Sequence, residues 1–161
     1  MKRIFKGIPP AVVALGLASF LTDMSSEMIY PLLPVFLSTV LGAGALSLGI
    51  IEGVAETTAS VLKLFSGIWT DRIARRKPFV LAGYGLAGLV RPLIGIAGSW
   101  TVVLVLRFLD RIGKGIRTSP RDALIADAVA PEHRGKAYGF HRSMDHAGAV
   151  AGPLIAAALL S

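Results

Sequence analysis

The sequence has 161 residues, of which 53% are hydrophobic and 17% are charged, and its mean hydropathy is +0.65. A soluble domain of this size carries about 25% charged residues and is less apolar along its length, so the composition indicates a membrane protein. Because the sequence contains no cysteine, it leaves no place for disulfide bonds, thiolate metal sites or a cysteine nucleophile. The formal net charge of +7 has to be judged from where the basic residues lie.

Five apolar segments are long enough to cross a bilayer, whose hydrocarbon core of about 30 Å needs roughly 20 helical residues. They cover residues 10–40, 46–69, 78–97, 101–129 and 137–161. We therefore expect an all-α, polytopic membrane helix bundle. The first segment follows basic residues as a signal peptide does, but it exceeds the roughly 7–15 apolar residues of such peptides. An uncleaved first helix is the favoured interpretation.

Lysine and arginine residues occur in alternate loops, and this pattern predicts the orientation of the chain. They lie before the first segment, between the second and third, and after the fourth, whereas residues 38–45 and 98–100 contain none. Basic residues stay on the cytoplasmic side, so we expect a cytoplasmic N-terminus in a multi-pass protein of the plasma (inner) membrane. The positive charge then reflects topology, and we expect no nucleic-acid partner. These loop residues are Lys2, Arg3, Lys6, Arg72, Arg75, Arg76, Lys77, Arg134 and Lys136.

Acidic residues lie inside the first two predicted spans. A charge at the centre of a membrane helix costs about 2.5–3.5 kcal/mol, so such residues face protein or water and often mark a pathway. Asp23 and Glu27 are four residues apart in the first segment, and Glu52 and Glu56 are four apart in the second. This spacing places each pair on one face of its helix.

The fourth segment carries a stripe of charged residues. At about 100° per residue they fall within a sector about 140° wide. Three explanations stay open for the stripe: a functional cavity, structural pairing, or a segment that lies outside the membrane or protrudes from it. Structural pairs are possible at helical spacing between Asp110 and Lys114, and between Glu56 and Lys63. The stripe consists of Arg107, Asp110, Arg111, Lys114, Arg117, Arg121 and Asp122.

A family resemblance begins in the loop after the second segment. Residues 67–76 read GIWTDRIARR, which resembles the cytoplasmic signature of the major facilitator superfamily: glycine, three residues, Asp-Arg, one residue, glycine and then basic residues. Ala74 replaces the usual second glycine. In that family the loop is a conformational latch, whereas a simpler interpretation of the basic residues is a cytoplasmic anchor. The resemblance assigns the latch to Gly67, Asp71, Arg72, Arg75 and Arg76.

The fourth segment is also similar to a motif of this family, an arginine followed by a polar residue and glycines. It reads RFLDRIG from Arg107 to Gly113. Asp110 and Arg111 stand where glutamine and glycine are commoner in the family. The match therefore supports the resemblance, although this helix carries more charged residues than the family motif does.

The fifth segment matches the first part of the fifth-helix motif that the family's antiporters carry. Ala156 and Ala157 replace the glycine pair that closes this motif, which weakens the inference of antiport. His141 and Asp145, four residues apart on the same face, can either pair structurally or relay protons. The matching residues are Gly139, Gly148, Gly152 and Pro153.

The family fold implied by the resemblance is larger than this chain. It has two six-helix bundles with the substrate site between them near the midplane of the bilayer. We therefore expect an N-terminal fragment with about five of twelve helices, and a missing C-terminal half as its partner. In the family, the first and fourth helices line the cavity. The expected substrate or proton pathway comprises Asp23, Glu27, Glu52, Glu56, Arg107, Asp110, Arg111 and Lys114.

The function expected from the resemblance is secondary active transport: proton-coupled export of a small organic solute by alternating access. Such a protein needs the lipid bilayer and a proton gradient, but no metal and no other cofactor. The excess of arginine and lysine in the fourth segment favours a solute with a carboxylate or phosphate group. Asp23 and Glu27 would instead allow a zwitterionic or cationic solute.

Three other function classes compete with secondary active transport. A membrane scaffold or receptor that retains the fold is the main alternative. An intramembrane enzyme is disfavoured because the candidate serine and histidine residues form no recognisable triad or metal motif. Nucleotide-driven transport is disfavoured because the sequence has no glycine-rich phosphate loop with a following Lys-Ser or Lys-Thr. The serine and histidine candidates are Ser25, Ser26, His141 and His146.

Overall fold

The structure is a computed structural model that describes residues 7–72 and 75–160, with only the backbone of Asp71. The basic residues Lys2, Arg3 and Lys6, and Ala74 of the loop signature, lie outside the described residues. The expectations that rest on them are therefore not addressed by the structure.

Long helices make up nearly all of the described part of the chain. They are α1 (Pro10–Val35), α2 (Ala45–Arg72), α3 (Lys77–Ile94), α4 (Trp100–Ala128) and α5 (Arg134–Leu160). A π-helical turn at Phe36–Val40 extends α1, and a 3-10 turn at Pro131–His133 precedes α5. No β-strand occurs within residues 7–72 and 75–160, and the predicted all-α class is confirmed. The helices begin and end within a few residues of the predicted segments.

Three of these helical segments are long and apolar enough to cross a membrane: Pro10–Val40, Ala45–Thr70 and Pro131–Leu160. Among the described residues, α3 and α4 do not meet this criterion. In α4 the reason is the charged stripe, because ionisable residues recur through the helix. That α3 and α4 span the membrane stays a prediction.

The helices pack in two groups. α1 packs along α5, whereas α4 packs along both α2 and α3. We call α1 and α5 the helix pair, and α2, α3 and α4 the helix trio. Contacts between the helix pair and the helix trio are much sparser than contacts within each group. The residues that bridge the two groups therefore determine how they are held together.

Apolar clusters occupy both ends of the bundle. One cluster joins the last turns of α1 and α3 to the first turns of α2 and α4, and its buried members include Leu33, Ile51 and Val103. The other joins the start of α1 and α5 to the end of α4, around Val12 and Ile125. The buried charged residues of α4 lie between these clusters. The middle of the bundle is consequently its polar layer.

Two glycines of the fifth-helix motif allow α5 to touch the backbone of α1. A Cβ added to Gly152 would lie 2.5 Å from the carbonyl oxygen of Met24, and one added to Gly148 would collide with the carbonyl oxygen of Phe20. Small residues of this kind permit close approach of membrane helices. Gly139 differs, since a Cβ there would have nothing within 4 Å.

A second close approach joins α3 to α4. A Cβ added to Gly83 would lie 2.5 Å from the carbonyl oxygen of Gly113, and one added to Gly113 would lie 2.7 Å from the carbonyl oxygen of Gly83. The two glycines face each other across the contact. This arrangement draws α4 against α3 at the level of the charged stripe.

Candidate functional site

A polar pocket of about 360 Å³ lies between α1, α2, α4 and α5. Its lining residues come from the middle portions of these helices, at the level of the polar layer. We call it the central pocket. Its lining residues are Asp23, Glu27, Glu56, Ala59, Ser60, Lys63, Lys114, Arg117, Thr118, Arg121, Arg142, Asp145, His146 and Ala149.

Half of the residues predicted for the pathway line this pocket: Asp23, Glu27, Glu56 and Lys114. The other half take part in ion pairs among the helices and are not lining residues. The structure therefore brings charges from the first, second and fourth segments together, but it divides them between a pocket and a buried network. That second half consists of Glu52, Arg107, Asp110 and Arg111.

The buried network joins the three helices of the trio. Arg107 is fully buried and binds the carboxylate of Glu52 through Nη2, at 2.7 Å from Oε1 and 2.9 Å from Oε2. Asp110 accepts a hydrogen bond from Nε of Arg91 at 2.8 Å, and its Oδ2 lies 3.7 Å from Nη1 of Arg107. These charges compensate one another, as buried charges must. The network therefore supports packing within the helix trio.

Tyr30 connects α1 to the trio. Its hydroxyl accepts a hydrogen bond from Nη2 of Arg111 at 2.7 Å and donates one to Oε1 of Glu56 at 3.0 Å. The same Nη2 lies 3.0 Å from that carboxylate oxygen. The guanidinium carbons of Arg107 and Arg111 lie 5.3 Å and 5.7 Å from the centre of the tyrosine ring. These distances are within the range of cation–π contacts.

Arg117 lies at the wall of the central pocket with incomplete hydrogen bonding. The residue is 1% exposed, and its Nη2 lies 3.9 Å from Oδ1 of Asp23 on α1. Its guanidinium carbon lies 4.6 Å from the centre of the Tyr84 ring. Nε and Nη1 of Arg117 have no hydrogen-bond partner in the described part of the chain.

Arg121 forms another bridge between the trio and the pair. Its Nη1 donates to Oγ of Ser19 on α1 at 2.9 Å, and its Nη2 lies 3.8 Å from Oδ2 of Asp145 on α5. That same Oδ2 lies 3.5 Å from Nδ1 of His141. The predicted proximity of His141 and Asp145 is therefore present in the structure. A role in proton relay stays a prediction.

The structural pairs considered for the charged stripe do not form. Asp110 pairs with Arg91 and Arg107 rather than with Lys114, and Glu56 pairs with Arg111 rather than with Lys63. The reason is that side chains of neighbouring helices reach these carboxylates, whereas the pairing rule considers one helix surface alone.

Three charged side chains that line the central pocket have no ionic partner in the described part of the chain. Within residues 7–72 and 75–160, no oppositely charged group lies within 4.0 Å of Glu27, Lys63 or Lys114. All three line the pocket. Lys63 and Lys114 stand on the trio side of the pocket, and Glu27 stands on α1.

The loop predicted to be a latch contacts the end of α4. Nη1 of Arg76 forms an ion pair with Oδ2 of Asp127, while Arg72 and Arg75 are exposed. A Cβ added to Gly67 would lie 3.6 Å from Oγ of Ser119, which is an ordinary contact distance. The side chain of Asp71 lies outside the described residues. The latch role itself stays a prediction.

Several residues of the site were not singled out from the sequence. Arg91 carried a usable signal, because it is an arginine within the third predicted span. Tyr30 and Tyr84 carried none, since aromatic residues are common in membrane helices and only the fold places them beside arginines. Asp127 lies near the end of α4 and pairs with Arg76 across 51 residues of sequence, a relationship that helical spacing does not reveal.

Comparison with known proteins identifies the family. The family model described as Major Facilitator Superfamily matches residues 15–161. The chain is 43% identical over 141 residues to the uncharacterized MFS-type transporter MJ1317 of Methanocaldococcus jannaschii, covering 88% of this chain and 35% of that protein. It is 35% identical over 150 residues to the uncharacterized protein Rv2265 of Mycobacterium tuberculosis, covering 93% and 36% of the two chains.

A further relative carries a functional name. The multidrug resistance protein MdtH of Sodalis glossinidius is 30% identical over 142 residues, covering 88% of this chain and 35% of that protein. The chain thus spans about a third of the length of the curated relatives it matches. The match over residues 15–161, together with the signature that precedes α3, shows that the chain belongs to the major facilitator superfamily of multi-pass membrane transport proteins.

Proposed function

We propose that this chain forms part of the N-terminal half of a secondary active transporter, which exports a small organic solute by alternating access and is driven by a proton gradient. The observation that carries the proposal is the central pocket. It is polar, lies in the middle of the bundle and collects charges from four helices. Intramembrane charges are costly and mark solute or ion pathways by default.

The solute is proposed to carry an anionic group. Basic side chains outnumber acidic ones on the charged face of α4, and Lys114, Arg117 and Arg121 of that face line the central pocket. Arginine binds carboxylate and phosphate groups through parallel hydrogen bonds. An anionic group entering the pocket would therefore meet well-matched donors.

Export is proposed on the strength of one relative. The protein of Sodalis glossinidius is named a multidrug resistance protein, and resistance by a membrane transport protein fits outward movement of the solute. The fifth-helix glycines that resemble the antiporter motif agree with exchange of solute for protons. The close packing of Gly148 and Gly152 against α1 explains the need for small residues there without reference to transport direction.

Proton coupling is proposed through carboxylates that face arginines across the seam between the helix groups. Asp23 on α1 lies 3.9 Å from Arg117 on α4. A carboxylate in this position favours contact with arginine when ionised and loses that preference when protonated. Protonation would therefore shift the balance between two arrangements of the helices.

We further propose the plasma membrane as the location, with the N-terminus in the cytoplasm.

Proteoliposomes containing the complete gene product provide the test. Solute uptake is measured with an imposed pH gradient against a panel of anionic, zwitterionic and cationic solutes. Asp23→Asn should abolish most gradient-driven flux while the protein still folds, and Glu132→Gln, in the exposed turn before α5, is the matched control. Equal behaviour of both variants, or no flux from the unmodified protein with any solute, would favour a scaffold or receptor instead.

A further inference from the structure

In the central pocket, the charged side chains that have no ionic partner among the described residues differ in sign between the two sides. Lys63 and Lys114 stand on the trio side, with the incompletely bonded Arg117 beside them, and Glu27 stands on α1. We propose that the pocket binds a zwitterionic solute, with its anionic group against Lys63, Lys114 and Arg117 and its cationic group against Glu27. This inference rests on the proposed function, because it names the chemical class of the solute for the same pocket.

Arg117 is the strongest sign that an anionic group is expected on the trio side. It is 1% exposed, lines the pocket, and has two nitrogen atoms, Nε and Nη1, without a hydrogen-bond partner in the described residues. A buried donor left unpaired is costly. Its only ionic contact within residues 7–72 and 75–160, to Asp23, is 3.9 Å long and lies beyond hydrogen-bond distance. A carboxylate or phosphate group in the pocket would supply a further counter-charge close to this guanidinium.

Two lysines extend the positive side of the pocket. Lys63 on α2 and Lys114 on α4 both line it, and no carboxylate of the described residues lies within 4.0 Å of either ammonium group. Ammonium groups are flexible point charges that adapt to an anion held by a more rigid arginine. Asp23 lies 3.9 Å from Arg117, but neither lysine has a carboxylate that close among the described residues, so the protein neutralises this positive surface only in part.

Glu27 is the acidic group that remains available on the opposite side. Each of the other carboxylates of the pocket lies within 4.0 Å of an arginine: Asp23 of Arg117, Glu56 of Arg111 and Asp145 of Arg121. Glu27 has no such contact in the described part of the chain. A solute ammonium group would supply the missing positive charge.

Other charge patterns fit this division less well. A dicarboxylate would satisfy the cations but bring a negative charge towards Glu27, and a diamine would bring a positive charge towards three cations. Like charges placed close together in a poorly solvated pocket oppose binding. The volume of about 360 Å³ is near the lower end of the roughly 300–1,000 Å³ typical of small-molecule sites, so the solute is expected to be small.

Matched probes distinguish these possibilities by equilibrium binding to the purified complete gene product. The five-carbon set is 5-aminopentanoate, glutarate and 1,5-diaminopentane, and a three-carbon set repeats the same end groups at shorter length. Isothermal titration calorimetry should show that, in at least one set, the amino acid binds at least about tenfold more tightly than the dicarboxylate and the diamine of the same set. Stronger binding of the dicarboxylate or the diamine, or no binding of either amino acid at millimolar concentration, would overturn the proposal.

Variants then locate the two ends of the probe. Glu27→Gln should lower the affinity for 5-aminopentanoate to that for pentanoate, the monocarboxylate that lacks the amine. The same variant should leave the affinity for pentanoate unchanged. Lys114→Gln should lower the affinity for both ligands, whereas Lys77→Gln, which lies outside the pocket, should change the affinity for neither. Thermal unfolding checks that each variant folds. Unchanged binding of the amino acid to the Glu27→Gln variant would contradict the proposed position of its ammonium group.

The outcome also separates this inference from the proposed function. Solute flux without preferential binding of the amino acid would overturn the zwitterion inference and leave the transporter intact. Preferential binding without flux of the same compound would support the pocket chemistry and count against transport.

Discussion

Arg91 of α3 and Asp110 of α4 form a hydrogen-bonded ion pair of 2.8 Å, and their side chains are only 6% and 0% exposed. Arg107 approaches the second oxygen of the same carboxylate at 3.7 Å. One buried carboxylate therefore contacts two buried arginines, one from α3 and one from α4. Removing its charge would leave Arg91 without a carboxylate within 4.0 Å among the described residues, whereas Arg107 would keep its contacts with Glu52.

Asp110→Asn should consequently destabilise the protein by about 3–5 kcal/mol, which is the usual cost of removing one partner from a buried ion pair. Unfolding in detergent micelles, followed by circular dichroism, measures this change. Glu132→Gln is the control, because its side chain is 70% exposed and surface ion pairs contribute about 0–1 kcal/mol. A loss below about 1 kcal/mol for Asp110→Asn would show that the pair is not important for stability.

Alanine at Gly152 should loosen the contact between α1 and α5. The added Cβ would lie 2.5 Å from the carbonyl oxygen of Met24, so one of the helices would have to move, at a cost of about 1–3 kcal/mol. Gly139→Ala in the same motif has nothing within 4 Å and should be neutral or stabilise the helix by up to about 1 kcal/mol. Thermal unfolding of the two variants compares them directly, and equal melting temperatures would contradict the close contact.

Tyr30 should stabilise the seam through both its hydroxyl and its ring. Tyr30→Phe removes the hydrogen bonds to Arg111 and Glu56 and is expected to cost about 1–2 kcal/mol, since its partners are charged but Glu56 is exposed. Tyr30→Leu also removes the ring from the two arginines, adding about 0.5–2 kcal/mol. Chemical unfolding of the series measures both steps. If phenylalanine and leucine gave the same stability, the cation–π contribution would be negligible.

Arg76 separates the latch hypothesis from a simple cytoplasmic anchor. Arg76 pairs with Asp127 at the end of α4, whereas neighbouring Lys77 has no carboxylate within 4.0 Å in the described residues. Arg76→Gln should lower the transport rate of the complete gene product while changing stability by no more than about 1 kcal/mol, as for exposed ion pairs. Lys77→Gln should leave the rate unchanged. Equal rates for the two variants would favour the anchor.

The length of the apolar segments was sufficient to predict the helices and the all-α class, because hydrophobic length is a property of each segment alone. The loop signature was sufficient to predict the family, which the match over residues 15–161 confirms. The spacing within α4 also predicted that its charges share one side. These predictions required no knowledge of which helices are neighbours.

Partners of the charged residues were beyond what the sequence reveals. Helical spacing suggested Asp110 with Lys114, but Arg91 reaches the carboxylate from another helix because Gly83 and Gly113 bring α3 and α4 together. Likewise, Gly139 and Gly152 look equivalent in the motif, yet only Gly152 meets the backbone of α1. Such differences depend on tertiary packing. The functional role of the predicted pathway residues stays a prediction.

The buried arginines of α4 have a consequence for how the protein enters the bilayer. Each arginine near the centre of a lone helix costs about 2.5–3.5 kcal/mol on insertion scales, so α4 by itself would favour water over lipid. Two of its counter-charges come from α2 through Glu52 and from α1 through Asp23, and a third comes from α5 through Asp145, which lies 3.8 Å from Arg121. Of these helices, α1 and α2 are synthesised before α4. We therefore expect α4 to move from the insertion machinery into the lipid only together with α1 and α2. Its integration would then depend on the order in which the helices are synthesised.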